Sequence, residues 1–143
     1  MTNHHLLHGL NLEDGHAYYV TIRGTDYVNQ TATATSAAAT VDTTPPLKTN
    51  ISMQHHHSTN GVVSASWEDI FYDKETVISH YEWSVGSQPG YADIMPPTRT
   101  TQTLGTSISK LDMQEGHVYW LSVKAHNKAG LSSLATGWPF LCD

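Results

Sequence analysis

Cysteine is almost missing from this chain, with one residue, Cys142, among 143. A lone thiol closes no bridge within the chain, so no internal disulfide framework is expected and cysteine does not decide the redox compartment. Cationic residues are also few. Seven Lys plus Arg lie scattered against thirteen Asp plus Glu, for a net charge of −6. No basic stripe is left to displace counterions from DNA or RNA, and nucleic acid is not expected as a partner. No apolar run approaches the roughly 20 residues that span a bilayer. Residues 1–8 have neither the basic start nor the apolar stretch of a signal peptide, so no membrane insertion is expected within this piece.

Catalytic signatures are missing as well. A nucleophile needs a base and an orienting third group, yet there is no G-x-S-x-G elbow, no H-E-x-x-H helix, no paired Cys and His and no phosphate-cradling glycine loop. The expectation is a non-catalytic chain without a cofactor. Helix-favouring residues are scarce while Thr, Ser, Val, Tyr, Trp, Gly and Pro are plentiful, the composition of short strands joined by turns. With 38% hydrophobic and 14% charged residues, the chain reads as an all-β protein with room for one domain and a remainder.

A repeat organises it. Leu10-Asn11-Leu12-Glu13-Asp14-Gly15-His16-Ala17-Tyr18-Tyr19-Val20-Thr21-Ile22 returns as Leu111-Asp112-Met113-Gln114-Glu115-Gly116-His117-Val118-Tyr119-Trp120-Leu121-Ser122-Val123, at a constant offset of 101 residues. That spacing suits an immunoglobulin-like sandwich of ~100 residues better than a solenoid repeat. Residues 1–46 then read as the C-terminal strands of one sandwich, closed by the seam Val41-Asp42-Thr43-Thr44-Pro45-Pro46, whose paired prolines cannot donate to a ladder. Residues 47–143 read as one complete domain. Strands are expected over residues 50–54, 62–67, 80–85 and the stretch after Gly116, with an Asn60-Gly61 turn and two short strands within 98–109. Alternation puts Val63, Ala65, Trp67, Tyr81, Trp83, Val85, Tyr119, Leu121, Val123 and Ala125 on core faces.

Val63-Ser64-Ala65-Ser66-Trp67, then Tyr81-Glu82-Trp83, then Leu111 leading to Tyr119-Trp120-Leu121-Ser122-Val123-Lys124-Ala125-His126-Asn127, resemble the fibronectin type III superfamily. The resemblance covers residues 47–143, and its second half recurs at 6–42. It implies an antiparallel β-sandwich with a structural core of Trp67, Tyr81, Trp83, Leu111 and Tyr119. Tyr119, eight residues after Leu111, resembles a tyrosine corner, in which the hydroxyl satisfies a backbone group at the turn; Tyr18 after Leu10 repeats it. The family's Arg-Gly-Asp adhesion tripeptide is absent, since Arg23-Gly24 precedes Thr25. The seam also resembles those of bacterial immunoglobulin-like surface repeats.

Several residues invite a functional reading. Asn29-Gln30-Thr31 and Asn50-Ile51-Ser52 are legal N-glycan acceptors in a secreted chain. His55-His56-His57 suggests metal binding, but neighbours on an extended chain point in opposite directions and cannot all reach one ion, so a solvated turn is expected there. His4, His5 and His8 have metal-like spacing only on a helix, and none is predicted. Glu68, Asp69, Asp73 and Glu75 follow Trp67, where carboxylates could gather calcium between neighbouring domains, although no EF-hand spacing accompanies them. Tyr19 and Trp120 occupy equivalent outward positions and, with Trp138 and Phe140, are candidates for contact with a partner or a glycan. The small-residue run over 31–41 reads as a flat final strand.

Two functions from different classes fit these observations. One is a structural or adhesion module of an extracellular or cell-surface tandem array, whose partners are neighbouring domains. The other is a self-assembling filament subunit, in which an identical subunit completes the half-built sandwich of residues 1–46. A glycan- or metal-binding sandwich is a third possibility.

Overall fold

In this computed structural model residues 4–50, 53, 55–107 and 109–143 are described, and among them lie thirteen β-strands and no helix. The N-terminal part holds β1 (Ala17–Tyr18), β2 (Thr21–Thr25), β3 (Thr31–Thr35) and β4 (Ala39–Thr40). The remainder holds β5 (Leu47–Lys48), β6 (His55–Thr59), β7 (Val62–Ser66), β8 (Phe71–Tyr72), β9 (Ile78–Gly86), β10 (Met95–Thr100), β11 (Leu104–Thr106), β12 (Val118–Asn127) and β13 (Ser132–Leu141). Every pairing is antiparallel. From residue 47 onward a four-stranded sheet of order β10-β9-β12-β13 and a three-stranded sheet of order β11-β7-β6 share one core, with a short β5-β8 ribbon beside them.

The core follows from the pleat. Successive strand residues face opposite sides, so Val63 and Ala65 of β7, Tyr81, Trp83 and Val85 of β9, and Tyr119, Leu121, Val123 and Ala125 of β12 turn inward, all at 7% exposure or less. Trp67, just past β7, packs 5.9 Å from the Tyr81 ring and 5.8 Å from the Trp83 ring. Gly105 of β11 makes room for both indoles. A Cβ there would sit 2.7 Å from Trp67 Cη2 and from Trp83 Cε2. The Trp67 Nε1 donor is buried with no partner among the described residues. Such an orphan costs about 1–3 kcal/mol, which the apolar contacts of the ring offset.

The expected Asn60-Gly61 turn is present. Both residues have positive φ, 53° and 77°, as a two-residue type I′ hairpin requires. That turn also explains a departure from expectation at His55-His56-His57, which form strand rather than a solvated turn. The tight hairpin fixes the register at Thr59↔Val62, and the ladder then runs back through His57↔Ser64 and His55↔Ser66. The strand expected over 50–54 falls mostly outside the described residues, since 51, 52 and 54 are not among them. Phe140 also differs: it is buried, 6.2 Å from the Tyr119 ring, because the register Tyr119↔Phe140 puts both rings on one face.

Residues 10–42 reproduce the strand register and the turn bonds of 111–143. The strand register is shared, with Tyr18↔Ala39 matching Tyr119↔Phe140 and Ile22↔Ala34 matching Val123↔Ala135. The Tyr18 hydroxyl accepts from Glu13 N at 3.1 Å, and the Tyr119 hydroxyl accepts from Gln114 N at 2.8 Å. Gly15 N donates to Val41 O as Gly116 N donates to Cys142 O, both at 2.8 Å. Even the side-chain pair Thr21–Thr35 has its counterpart in Ser122–Thr136. What differs is cover. Tyr18 is half-buried and Val20 and Ile22 are exposed.

Candidate functional site

The two parts of the chain meet at Asn127, the last residue of β12. The β12–β13 turn holds it, because its Oδ1 accepts from Leu131 N at 2.8 Å, and its side chain is left 2% exposed. Its amide then donates three ways, to Asp42 Oδ2 at 2.9 Å, to Asp73 Oδ2 at 3.0 Å and to Thr44 O at 3.1 Å. Asp42 and Thr44 belong to the seam, and Asp73 to the loop between β8 and β9. Thr76 Oγ1 donates to Asp42 Oδ2 at 2.6 Å, and Thr44 Oγ1 donates to Glu75 Oε2 at 2.8 Å. Pro46 is buried behind them, and its carbonyl accepts from Ser133 Oγ. A seam containing paired prolines offers few backbone donors, so side chains provide the ties.

One carboxylate oxygen from each of Asp42, Asp73 and Glu75 lies within 4.8 Å of the others, the one such grouping able to hold a cation among the described residues. Oxygen ligands of this kind suit a hard cation. Hydrogen-bond donors already meet the carboxylates of all three, so the arrangement acts as a clamp between seam, β8–β9 loop and β12. Burial pushes the Asp73 carboxyl upward, but the bonds from Asn127 and Thr76 and from Glu75 N outweigh it and hold the group below its ordinary value.

The expected acidic cluster is therefore divided. Asp73 and Glu75 join the seam, whereas Glu68 and Asp69 stay exposed on the loop after Trp67. Asp42 and Asn127 were not singled out by sequence reasoning. The signal was in the repeat: Asn127 aligns with Asp26, whose Oδ1 accepts from Gln30 N in the equivalent turn. Exchanging an acid for an amide at one of two matched positions supplies donors where carboxylates converge.

The other candidates are dispersed. His4, His5 and His8 are exposed and on no helix, and His55, His56 and His57 lie along β6. Asn29 is exposed at the tip of the β2–β3 hairpin with φ 61°, and Asn50 is exposed after β5. Tyr19 is 67% exposed, Trp120 is half-buried on the matching position, and Trp138 packs partly against the core. Trp67, Tyr81, Trp83 and Tyr119 are core residues as expected, while Leu111 is half-buried at its rim.

A second polar cluster lies on the outer face of the four-stranded sheet. The His80 and His126 rings stack at 4.3 Å and 9°, and His126 Nε2 is 2.8 Å from Glu82 Oε2. Arg99 and Lys124 stand opposite Glu82 on the two flanking strands. Burial first, then the charges of Arg99 and His126, lower the His80 imidazole against the opposing pull of Glu82. Comparison of the chain with protein-family models, curated proteins and solved structures gave no match.

Proposed function

We propose that this chain is a non-catalytic structural or adhesion module from an extracellular or cell-surface tandem array of fibronectin type III-like sandwiches. Residues 47–143 are one complete domain, and residues 1–46 are the C-terminal strands of the preceding domain with the seam between them. The carrying observation is the repeat of register, turns and tyrosine bond at an offset of 101 residues, across a seam tied by side chains. Two antiparallel sheets around Trp67 and Trp83, with a tyrosine hydroxyl closing the turn before β12, support the superfamily reading. The partners of such a module are its neighbouring domains, and the Asn127 clamp fixes the angle between them.

Limited proteolysis of the intact chain with mass analysis of the fragments tests this reading. A resistant fragment beginning near residue 47 and reaching the C-terminus is expected. Early cleavage inside β9 or β12 would reject it. Expression through a secretory pathway, followed by intact mass with and without glycosidase, tests the extracellular assignment at Asn29 and Asn50. Light scattering across a wide concentration range separates this module from a filament subunit, which would grow with concentration.

A further inference from the structure

The inward face of the N-terminal strands is open. A concavity of about 500 Å³ lies there, floored by Leu7, Leu10, Leu12, Tyr18, Val20 and Ala39. Val20 and Ile22 are 50% and 68% exposed, where their counterparts Leu121 and Val123 are completely buried. Accepting residues 1–46 as strands of a sandwich, we propose that β2 is a docking edge for one occupant: an antiparallel β-strand from a non-identical sandwich half, carrying large apolar and aromatic side chains at alternate positions.

The second copy of the repeat supplies the template. There β12 has β13 on one side and β9 on the other, through Leu121↔Val85, Val123↔Trp83 and Ala125↔Tyr81. Its inward face is closed by Val63, Ala65 and Trp67. In the first copy β2 pairs with β3 at the same register and has no neighbour on its other edge among the described residues. The missing neighbour is thus a counterpart of β9, with side chains of the Tyr81, Trp83 and Val85 kind turned onto Val20 and Ile22. An open edge beside an exposed apolar face is what a sheet extends across.

A second copy of the small-residue hairpin 10–42 is the wrong occupant, for a reason of shape. Ala37 and Ala39 stand where the second copy has Trp138 and Phe140, so space filled by this chain's own aromatics in one copy must be filled by the occupant's in the other.

The experiment uses the intact 143-residue chain and a labelled nine-residue peptide with the sequence of β9, followed by fluorescence anisotropy. Saturable binding at one peptide per chain is expected, weakened at least ~10-fold by Ile22→Asp and by a control peptide with Thr at the places of Tyr81, Trp83 and Val85. Ile22 is outside the core of residues 47–143, so the variant should keep the parent's melting temperature, which is checked alongside. No binding, or binding indifferent to Ile22→Asp, overturns the proposal. So does a dimer of the unliganded chain that Ile22→Asp dissociates, since that would make a second copy the occupant. If residues 47–143 stay protease-resistant while the peptide fails to bind, the docking edge is rejected and the modular reading is untouched.

Discussion

Residues 10–42 and 111–143 have the same strand register, the same turn bonds and the same tyrosine hydroxyl contact, yet one copy is open to solvent and the other is the centre of a core. The comparison separates two things that usually arrive together. Hairpin register, turn residues and the Gly15 and Gly116 conformations, with φ of 80° and 79°, depend on local sequence and are reproduced without a covering sheet. Stability depends on burial. Covering a Val, Leu or Ile side chain is worth about 1.5–3 kcal/mol, which Leu121 and Val123 gain and Val20 and Ile22 do not. A two-stranded ribbon in water is marginal on its own.

Substitutions at matched positions should break the symmetry most visibly at the rings. Tyr119→Ala is expected to cost about 3–5 kcal/mol in urea unfolding of the core, and Tyr18→Ala less than about 1 kcal/mol in the same transition. Equal losses would mean that the two rings have equal cover. Next comes Gly105→Ala, whose new methyl meets two buried indoles. A loss of about 1–3 kcal/mol is expected, with no change in proteolysis of residues 4–46.

The seam gives a third test. Asn127→Asp keeps the acceptor for Leu131 N but replaces a donor with a further carboxylate beside Asp42 and Asp73. A loss of about 1–3 kcal/mol near neutral pH is expected, shrinking as acid protonates the cluster. A loss independent of pH would rule out charge crowding as its cause.

The smallest effect concerns pH. The His80 imidazole is held below its ordinary 6.5 by burial, Arg99 and His126, so the fold prefers it neutral. Its contribution is complete above 6.5 and declines as pH falls from there toward the lowered folded value. Asp73 behaves as a lowered carboxyl: its contribution is present above 3.8 and lost as pH falls through its folded value. Calorimetry should therefore record a decline in melting temperature below pH 6.5, flatter in His80→Gln, and a second decline below pH 4.

Much of this architecture was legible in the sequence, and the reason is periodicity. Alternation placed Val63, Ala65, Trp67, Tyr81, Trp83 and Val85 on core faces, and the constant offset of Gly15 and Gly116 placed both tyrosine hydroxyls. The His55-His56-His57 strand was hidden because three polar residues give no alternation, and their ladder is imposed by a partner strand and a turn further along. Phe140 was hidden because its face is set by register with Tyr119 across β13. The Asn127 clamp was least visible. Asp73 and Glu75 were legible as part of the acidic cluster after Trp67, but only the folded chain brings Asp42 to them; the change from Asp26 to Asn127 was the one trace of the amide that ties them.

Hydrogen exchange on the intact chain tests the central contrast most directly. The amides of Ile22 and Val123 occupy matched places in matched ladders, so bond geometry alone would protect them alike. The expected result is β12 protected close to the global unfolding free energy while β2 and β3 exchange faster by several orders of magnitude. Equal protection in both copies would contradict the claim that cover, rather than local bonding, distinguishes the exposed hairpin from the buried one.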